Sequence, residues 1–168
     1  MRRLLSSLAT LSLLTAQQAH AELDCLRPQE RSVVEVAALR SELMVLATGC
    51  HQDERYNAFI RKYQPDLMGN ERAVGEVFKR MYGKRAQQEH DRFTTDLANG
   101  ESSASMRLGT DFCARNSVLF SEVMALQDAA ELPAYAAGKD LVPAVVDMCP
   151  QQPHAPARKQ VAAAAKHH

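Results

Sequence analysis

The residues of this chain best suited to acid–base chemistry form the consecutive triplet Glu89-His90-Asp91. A histidine beside carboxylates is a frequent general acid or base. The surrounding pattern predicts a helix, however, and neighbouring residues on a helix point about 100° apart, so the three side chains cannot serve one site. Only His90 lies on the apolar row of that helix. We therefore expect a buried histidine with one hydrogen-bond partner, and His90 is the only candidate for a catalytic residue.

A basic cluster is the second group of side chains that stands out. Lys79, Arg80, Lys84 and Arg85 bracket Gly83 at a predicted junction between two helices. One hypothesis is an anion patch for an acidic ligand or a phospholipid headgroup. The other is a solvated helix C-terminus, where the helix dipole favours cations, although Arg85 would already begin the next helix. The second interpretation is favoured, and the anion patch stays open.

Other catalytic and cofactor motifs are missing from the sequence. It contains no G-x-S-x-G, no H-E-x-x-H and no Gly-rich phosphate loop. It also lacks C-x-x-C for a redox centre and C-x-x-C-H for haem. We therefore expect no cofactor and no metal, and we favour a protein that is not an enzyme.

The first 21 residues have the features of a cleaved secretory signal. Arg2 and Arg3 precede the apolar stretch Leu4–Ala16, and Ala19-His20-Ala21 is a small-x-small cleavage pattern. The apolar run is too short to cross a bilayer as a helix. The sequence predicts a mature protein that begins at Glu22, is exported to the periplasm or the medium, and does not insert into a membrane.

The composition of the mature chain limits its function. Residues 22–149 have the length of one domain and hold 20 acidic and 15 basic residues. This negative balance argues against nucleic acid as a partner. Residues 150–168 form a basic tail rich in Pro, Gln, Ala and His, which we expect to be disordered.

Apolar positions recur at helical spacing, and no segment has the alternation and turns of a sheet. Pro28 opens the first predicted helix, Pro65 is expected to end the second, and Asn99-Gly100 is expected to end the fourth. The first two predicted helices cover about residues 28–48 and 53–64, and a third, capped by Asn70, runs to about 82. A fourth covers about 85–98, and a fifth begins at 102 or 110 and ends at about 128. One more helical turn is expected from Pro133 to Gly138. Residues 141–148 fit either a short helix or an extended segment. The expected fold is all-α, a compact bundle of about five helices stapled by two disulfides.

The disulfides are expected because the mature chain has an even number of cysteines in an oxidising compartment, at spacings too wide for paired metal ligands. The four residues are Cys25, Cys50, Cys113 and Cys149. The first helix holds Cys25 and Cys50 about 30 Å apart, whereas a disulfide needs Cα atoms within about 7 Å. In the expected bundle the first helix runs up, the second is a short cross-piece, the third runs down and the fourth returns. We therefore predict Cys50–Cys113 and Cys25–Cys149 over the crossed pairs Cys25–Cys113 and Cys50–Cys149.

Three functional hypotheses follow from these observations. The leading one is a small exported protein-binding module, such as an adaptor, a chaperone-like factor or an inhibitor, whose partner is another envelope or secreted protein. The second is a small hydrolase or ligand-binding protein that uses a bundle cavity around His90. The third is a structural envelope protein that uses its basic tail.

Overall fold

The computed structural model describes residues 25–142 and 148–149. The predicted signal (1–21), the predicted tail (150–168) and most of the undecided segment 141–148 lie outside the described residues. The fold is all-α, as expected, and the only β-type pairing among the described residues is an isolated parallel bridge between Leu26 and Met148. The helices are α1 (Pro28–Cys50), α2 (Asp53–Tyr82), α3 (Ala86–Leu108), α4 (Thr110–Asn116), α5 (Val118–Ala125) and α6 (Leu132–Ala137), with short 3₁₀ turns at Gly83–Arg85 and Ala129–Glu131.

Helix α1 is the central helix of the bundle. Pro28 is in its first turn, as predicted, and the Glu30 side chain accepts a hydrogen bond from the Arg27 backbone N–H at 2.9 Å. The apolar row Val36, Leu39, Leu43 and Leu46 is buried, but the opposite side is buried as well, so the helix packs against neighbours on nearly all sides. Its buried residues are Val34, Glu35, Val36, Ala38, Leu39, Ser41, Glu42, Leu43, Leu46 and Ala47.

The expected break at Pro65 was wrong. Residues 53–82 form one long helix, α2, which is kinked at Tyr63, where φ is −111° and ψ is 16°. A proline inside a helix removes one backbone hydrogen bond and bends the axis, and neighbouring contacts decide whether the helix continues. Asn70 therefore does not cap a new helix. Its side-chain amide donates to the backbone oxygen of Val33 on α1 at 3.1 Å.

Contacts beside the kink explain why α2 continues. The Tyr63 hydroxyl donates to the Val123 backbone oxygen at 2.7 Å. The Lys62 ammonium donates to the Met124 and Leu126 backbone oxygens, both at 2.8 Å. These carbonyls lie at the C-terminal end of α5, where they have no partner within the helix. The kinked part of α2 thus caps α5, and this tertiary contact offsets the local cost of the proline.

The expected stop at Asn99-Gly100 was also wrong, because α3 continues to Leu108 and ends at Gly109, which has φ +54°. A glycine inside a helix costs only about 1 kcal/mol, which does not break a helix that packs on α1. The predicted fifth helix is divided into α4 and α5, and the predicted turn at Pro133 is present as α6.

The bundle has two apolar cores on different sides of α1. The first joins α1 to the early part of α2, to α4, α5 and α6, and includes Leu43, Phe59, Phe112 and Phe120. The second joins α1 to the later part of α2 and the early part of α3, and its members include Val34, Val74, Phe78, Phe93 and Leu97. The other helices therefore pack around α1 and bury two separate cores against it.

Two disulfides close the bundle at its two ends. Cys25 is bonded to Cys149, with Cα atoms 4.9 Å apart, and Cys50 is bonded to Cys113, with Cα atoms 5.6 Å apart. These are the two pairs that the sequence argument favoured. The described residues contain no free cysteine.

Candidate binding groove

A groove lies on the surface formed by α1, α2 and α3. Its deep end is a cavity of about 200 Å³ that includes Ser41, Met44 and His90 in its lining. A shallower depression continues from it towards Met68, and the two share Arg40, Ile60 and Glu71. We call this continuous surface the methionine groove, because Met44 and Met68 are exposed along it.

Polar side chains from all three helices meet in the middle of the methionine groove. Arg40 Nη2 lies 2.7 Å from Glu71 Oε2, and His90 Nε2 lies 3.6 Å from Glu71 Oε1. The His90 side chain is 19% exposed, and its ring centroid is 5.2 Å from that of Phe78. His90 is therefore held between an aromatic ring and a carboxylate that Arg40 already engages.

Ser41 is a further polar residue of the deep cavity, and the sequence did not single it out. Its hydroxyl oxygen is buried and has no hydrogen-bond partner among the described residues. Since a serine nucleophile needs a hydrogen bond to its base, Ser41 and His90 do not form a nucleophile–base pair in this geometry. The cavity can instead offer the Ser41 hydroxyl and the His90 ring as hydrogen-bonding groups to an inserted side chain.

The rim of the methionine groove is apolar and exposed. Met44 is 39% exposed and Met68 is 55% exposed. Methionine side chains adapt their shape to different partners and are frequent on binding surfaces. Tyr56 lines the deep end. The pKa of its hydroxyl is raised, because burial raises it more than the charge of Arg40 lowers it. The surface therefore combines adaptable apolar side chains with a few fixed polar groups.

Arg80, from the predicted anion patch, is committed to an internal role. Its guanidinium donates to Glu30 Oε1 at 2.7 Å and to the Cys25 backbone oxygen at 2.9 Å. Burial raises the pKa of Glu30, but hydrogen bonds from Arg80 and from the Arg27 backbone outweigh it, so the net pKa is lowered. Arg80 thus fastens the beginning of the domain to the end of α2.

The other three cations of that cluster lie at the α2–α3 junction. Lys79 Nζ is 3.8 Å from Glu76, and Arg85 Nη1 is 3.2 Å from Glu89. Lys84 is exposed in the 3₁₀ turn. The four cationic side chains therefore do not come together at one site.

One buried acid was also missed from the sequence. Glu42 lies on α1, is only 6% exposed, and its Oε2 atom has no hydrogen-bond partner among the described residues. Burial, followed by the nearby charge of Glu101 on α3, raises its pKa to about 7. A charged residue inside the apolar run of the first predicted helix was the available signal.

No group of three or more His, Cys, Asp or Glu in the described part of the chain could hold a metal ion. None of the helices described is both long enough and apolar enough to cross a membrane. Comparison with protein-family models, with curated proteins and with solved structures found no match for this chain.

Proposed function

We propose that this chain is an exported binding module that holds a segment of a partner protein in the methionine groove. The observation that carries the proposal is the placement of two exposed methionines, Met44 and Met68, along one groove with a polar centre. Apolar contacts around a few polar groups are the usual composition of a specific binding site.

The size of the deep cavity indicates what the partner inserts. A cavity of about 150 Å³ accepts a benzene ring, so the 200 Å³ cavity is large enough for one aromatic side chain. The partner segment therefore presents one aromatic residue to this cavity, and flanking apolar residues contact Met44 and Met68. The Arg40–Glu71 pair supplies polar contacts beside the cavity.

Export is the second part of the proposal. Two disulfides indicate a non-reducing compartment. The features of residues 1–21 support a signal that is cleaved before Glu22. Intact-mass measurement of the protein from its producing cells tests this directly. A mass that still includes residues 1–21 would contradict it.

Peptide selection tests the binding function. The mature protein is immobilised and presented with a library of random peptides, and we expect the enriched peptides to share one aromatic residue flanked by apolar residues. Met44→Asp and Met68→Asp should each abolish their binding. Met106→Asp is the matched control, because Met106 is a 78% exposed methionine outside the groove. Equal loss in all three variants would contradict the proposal.

A further inference from the structure

A second cavity, larger than the deep cavity of the methionine groove, also has Phe93 in its lining. Its volume is about 370 Å³, and it is lined by residues of the segment before α1, of α1, of the end of α2 and of the beginning of α3. This volume lies within the range of about 300–1,000 Å³ that is usual for small-molecule sites. Most of its wall is apolar, formed by Leu26, Val34, Val77, Phe78, Met81 and Phe93.

The wall at Leu26 is fixed by several contacts. The Leu26 backbone oxygen accepts a hydrogen bond from the Cys149 N–H at 2.9 Å, and its side chain is 1% exposed. The preceding residue, Cys25, is bonded to Cys149 and accepts a hydrogen bond from Arg80. A cavity whose walls are already in place binds a ligand without the cost of ordering them.

The charged lining residues all come from one face of α3. Glu89 has two cationic neighbours, since its carboxylate is 3.2 Å from Arg85 and 3.7 Å from Arg92. The Asp96 carboxylate, in contrast, has no ion pair or side-chain hydrogen bond among the described residues. Asp96 is therefore the charged group in the lining that a ligand could still pair with, although Arg92 in the same lining keeps the net charge of these residues near zero.

The aromatic residues in the wall favour the same kind of ligand. The ring centroids of Phe78 and Phe93 are 5.3 Å apart, so two aromatic rings lie side by side in the cavity wall. Aromatic rings are large apolar surfaces that pack well against the apolar body of a ligand. The acidic balance of residues 22–149 adds a long-range attraction for a positive charge.

From this arrangement we propose that the cavity is a binding site for a small lipophilic amine. The apolar body of the ligand lies against Val77, Phe78 and Phe93, and its ammonium group pairs with Asp96. This site is separate from the methionine groove and does not depend on the function proposed for that groove.

Calorimetric titration of the mature protein with three eight-carbon probes tests the proposal at pH 7. Octylamine should bind saturably with a stoichiometry of one, more tightly than octanol, and octanoate should bind most weakly. Asp96→Asn should reduce the affinity for octylamine about fivefold, to the level of octanol. Asp91→Asn is the matched control on the same helix, because Asp91 is exposed and does not line the cavity. It should leave the affinity unchanged.

Val77→Phe fills the cavity and should lower the affinity for octylamine and for octanol alike, about tenfold or more. Cooperative thermal melting of the variant shows first that it is folded. Met68→Asp should leave octylamine binding intact, which separates this site from the groove. The comparison of Asp96→Asn with Asp91→Asn remains decisive even if the Val77 variant does not fold. The proposal is overturned by octanoate binding as tightly as octylamine, by equal effects of the two aspartate variants, or by no saturable binding.

Discussion

Glu42 on α1 and Glu101 on α3 lie close enough that the charge of Glu101 adds to burial in raising the pKa of Glu42 to about 7. One oxygen of the buried Glu42 carboxyl has no hydrogen-bond partner among the described residues. The neighbouring cation, Lys139, lowers this pKa, but its ammonium is engaged by Glu122 at 2.6 Å. The folded state therefore favours the protonated form of Glu42.

The stability of the protein should consequently depend on pH through Glu42. The folded-state pKa of about 7 is above the usual value of 4.5, so the folded state binds the proton more tightly than the unfolded state. The stabilisation is complete below about pH 4.5 and is lost as the pH rises through about 7. Glu42→Gln, which mimics the protonated form, should be about 3 kcal/mol more stable relative to wild type at pH 8 than at pH 4.5.

Urea unfolding at the two pH values measures this difference. Glu54→Gln, a change at an exposed position on α2, is the control and should show no such dependence. A constant difference between wild type and Glu42→Gln from pH 4.5 to pH 8 would show that Glu42 is not a buried, unpaired acid.

The disulfide between Cys50 and Cys113 should be a major source of stability. In the chain-entropy model, closure of a loop of this length, with a sequence separation of 63, stabilises by about 4 kcal/mol as an upper estimate. The double variant Cys50→Ser/Cys113→Ser should lose much of its stability in thermal melts.

Peptide mapping without reduction should recover Cys25 linked to Cys149, and a peptide that links Cys25 to Cys113 would contradict the topology.

Tyr63 should stabilise the kink of α2 through its hydroxyl. Tyr63→Phe keeps the ring but leaves the buried Val123 carbonyl without its donor at 2.7 Å. We expect a loss of about 1–2 kcal/mol in the free energy of unfolding. Tyr56→Phe, at a partly buried position in the first turn of α2, is the comparison outside the kink. An unchanged stability for Tyr63→Phe would mean that this hydrogen bond does not support the kink.

His90 should contribute to stability and not to catalysis. His90→Ala removes the ring that packs on Phe78 and its 3.6 Å approach to Glu71. We expect a loss of about 1 kcal/mol, the size usual for an aromatic pair, and weaker peptide binding, because His90 lines the deep cavity of the groove. If the variant melted like wild type but lost a measurable activity, the enzyme hypothesis would replace the binding one.

The sequence predicts the helical class and the element order well, because apolar spacing is a local property. It misplaces two boundaries, at Pro65 and at Gly100, because tertiary contacts override a local breaker: α5 is capped by Lys62 and Tyr63, and α3 packs on α1. The disulfide argument reached the observed pairs from a topology with a cross-piece that does not exist. It succeeded because α2 and α3 together return the chain to the end of α1 that carries Cys50, where α4 begins with Cys113.

The candidate groove could not be predicted from the sequence. Met44 and Met68 belong to different helices, and neither sequence position indicates exposure. The pairing of Arg40 with Glu71 joins residues that are distant in sequence, so only the packing of α1 on α2 brings them together. His90 was found because it interrupts an apolar row, which is again a local signal.

Site-specific photo-crosslinking tests the central claim, that a partner protein occupies the methionine groove, most directly. A benzophenone amino acid is placed at position 44, 68 or 106 of the full chain, and the cells that produce the protein are irradiated. We predict one discrete covalent adduct with the same partner from positions 44 and 68, and none from position 106, an exposed methionine outside the groove. Identical adducts from all three positions, or no adduct from positions 44 and 68, would contradict the proposed function.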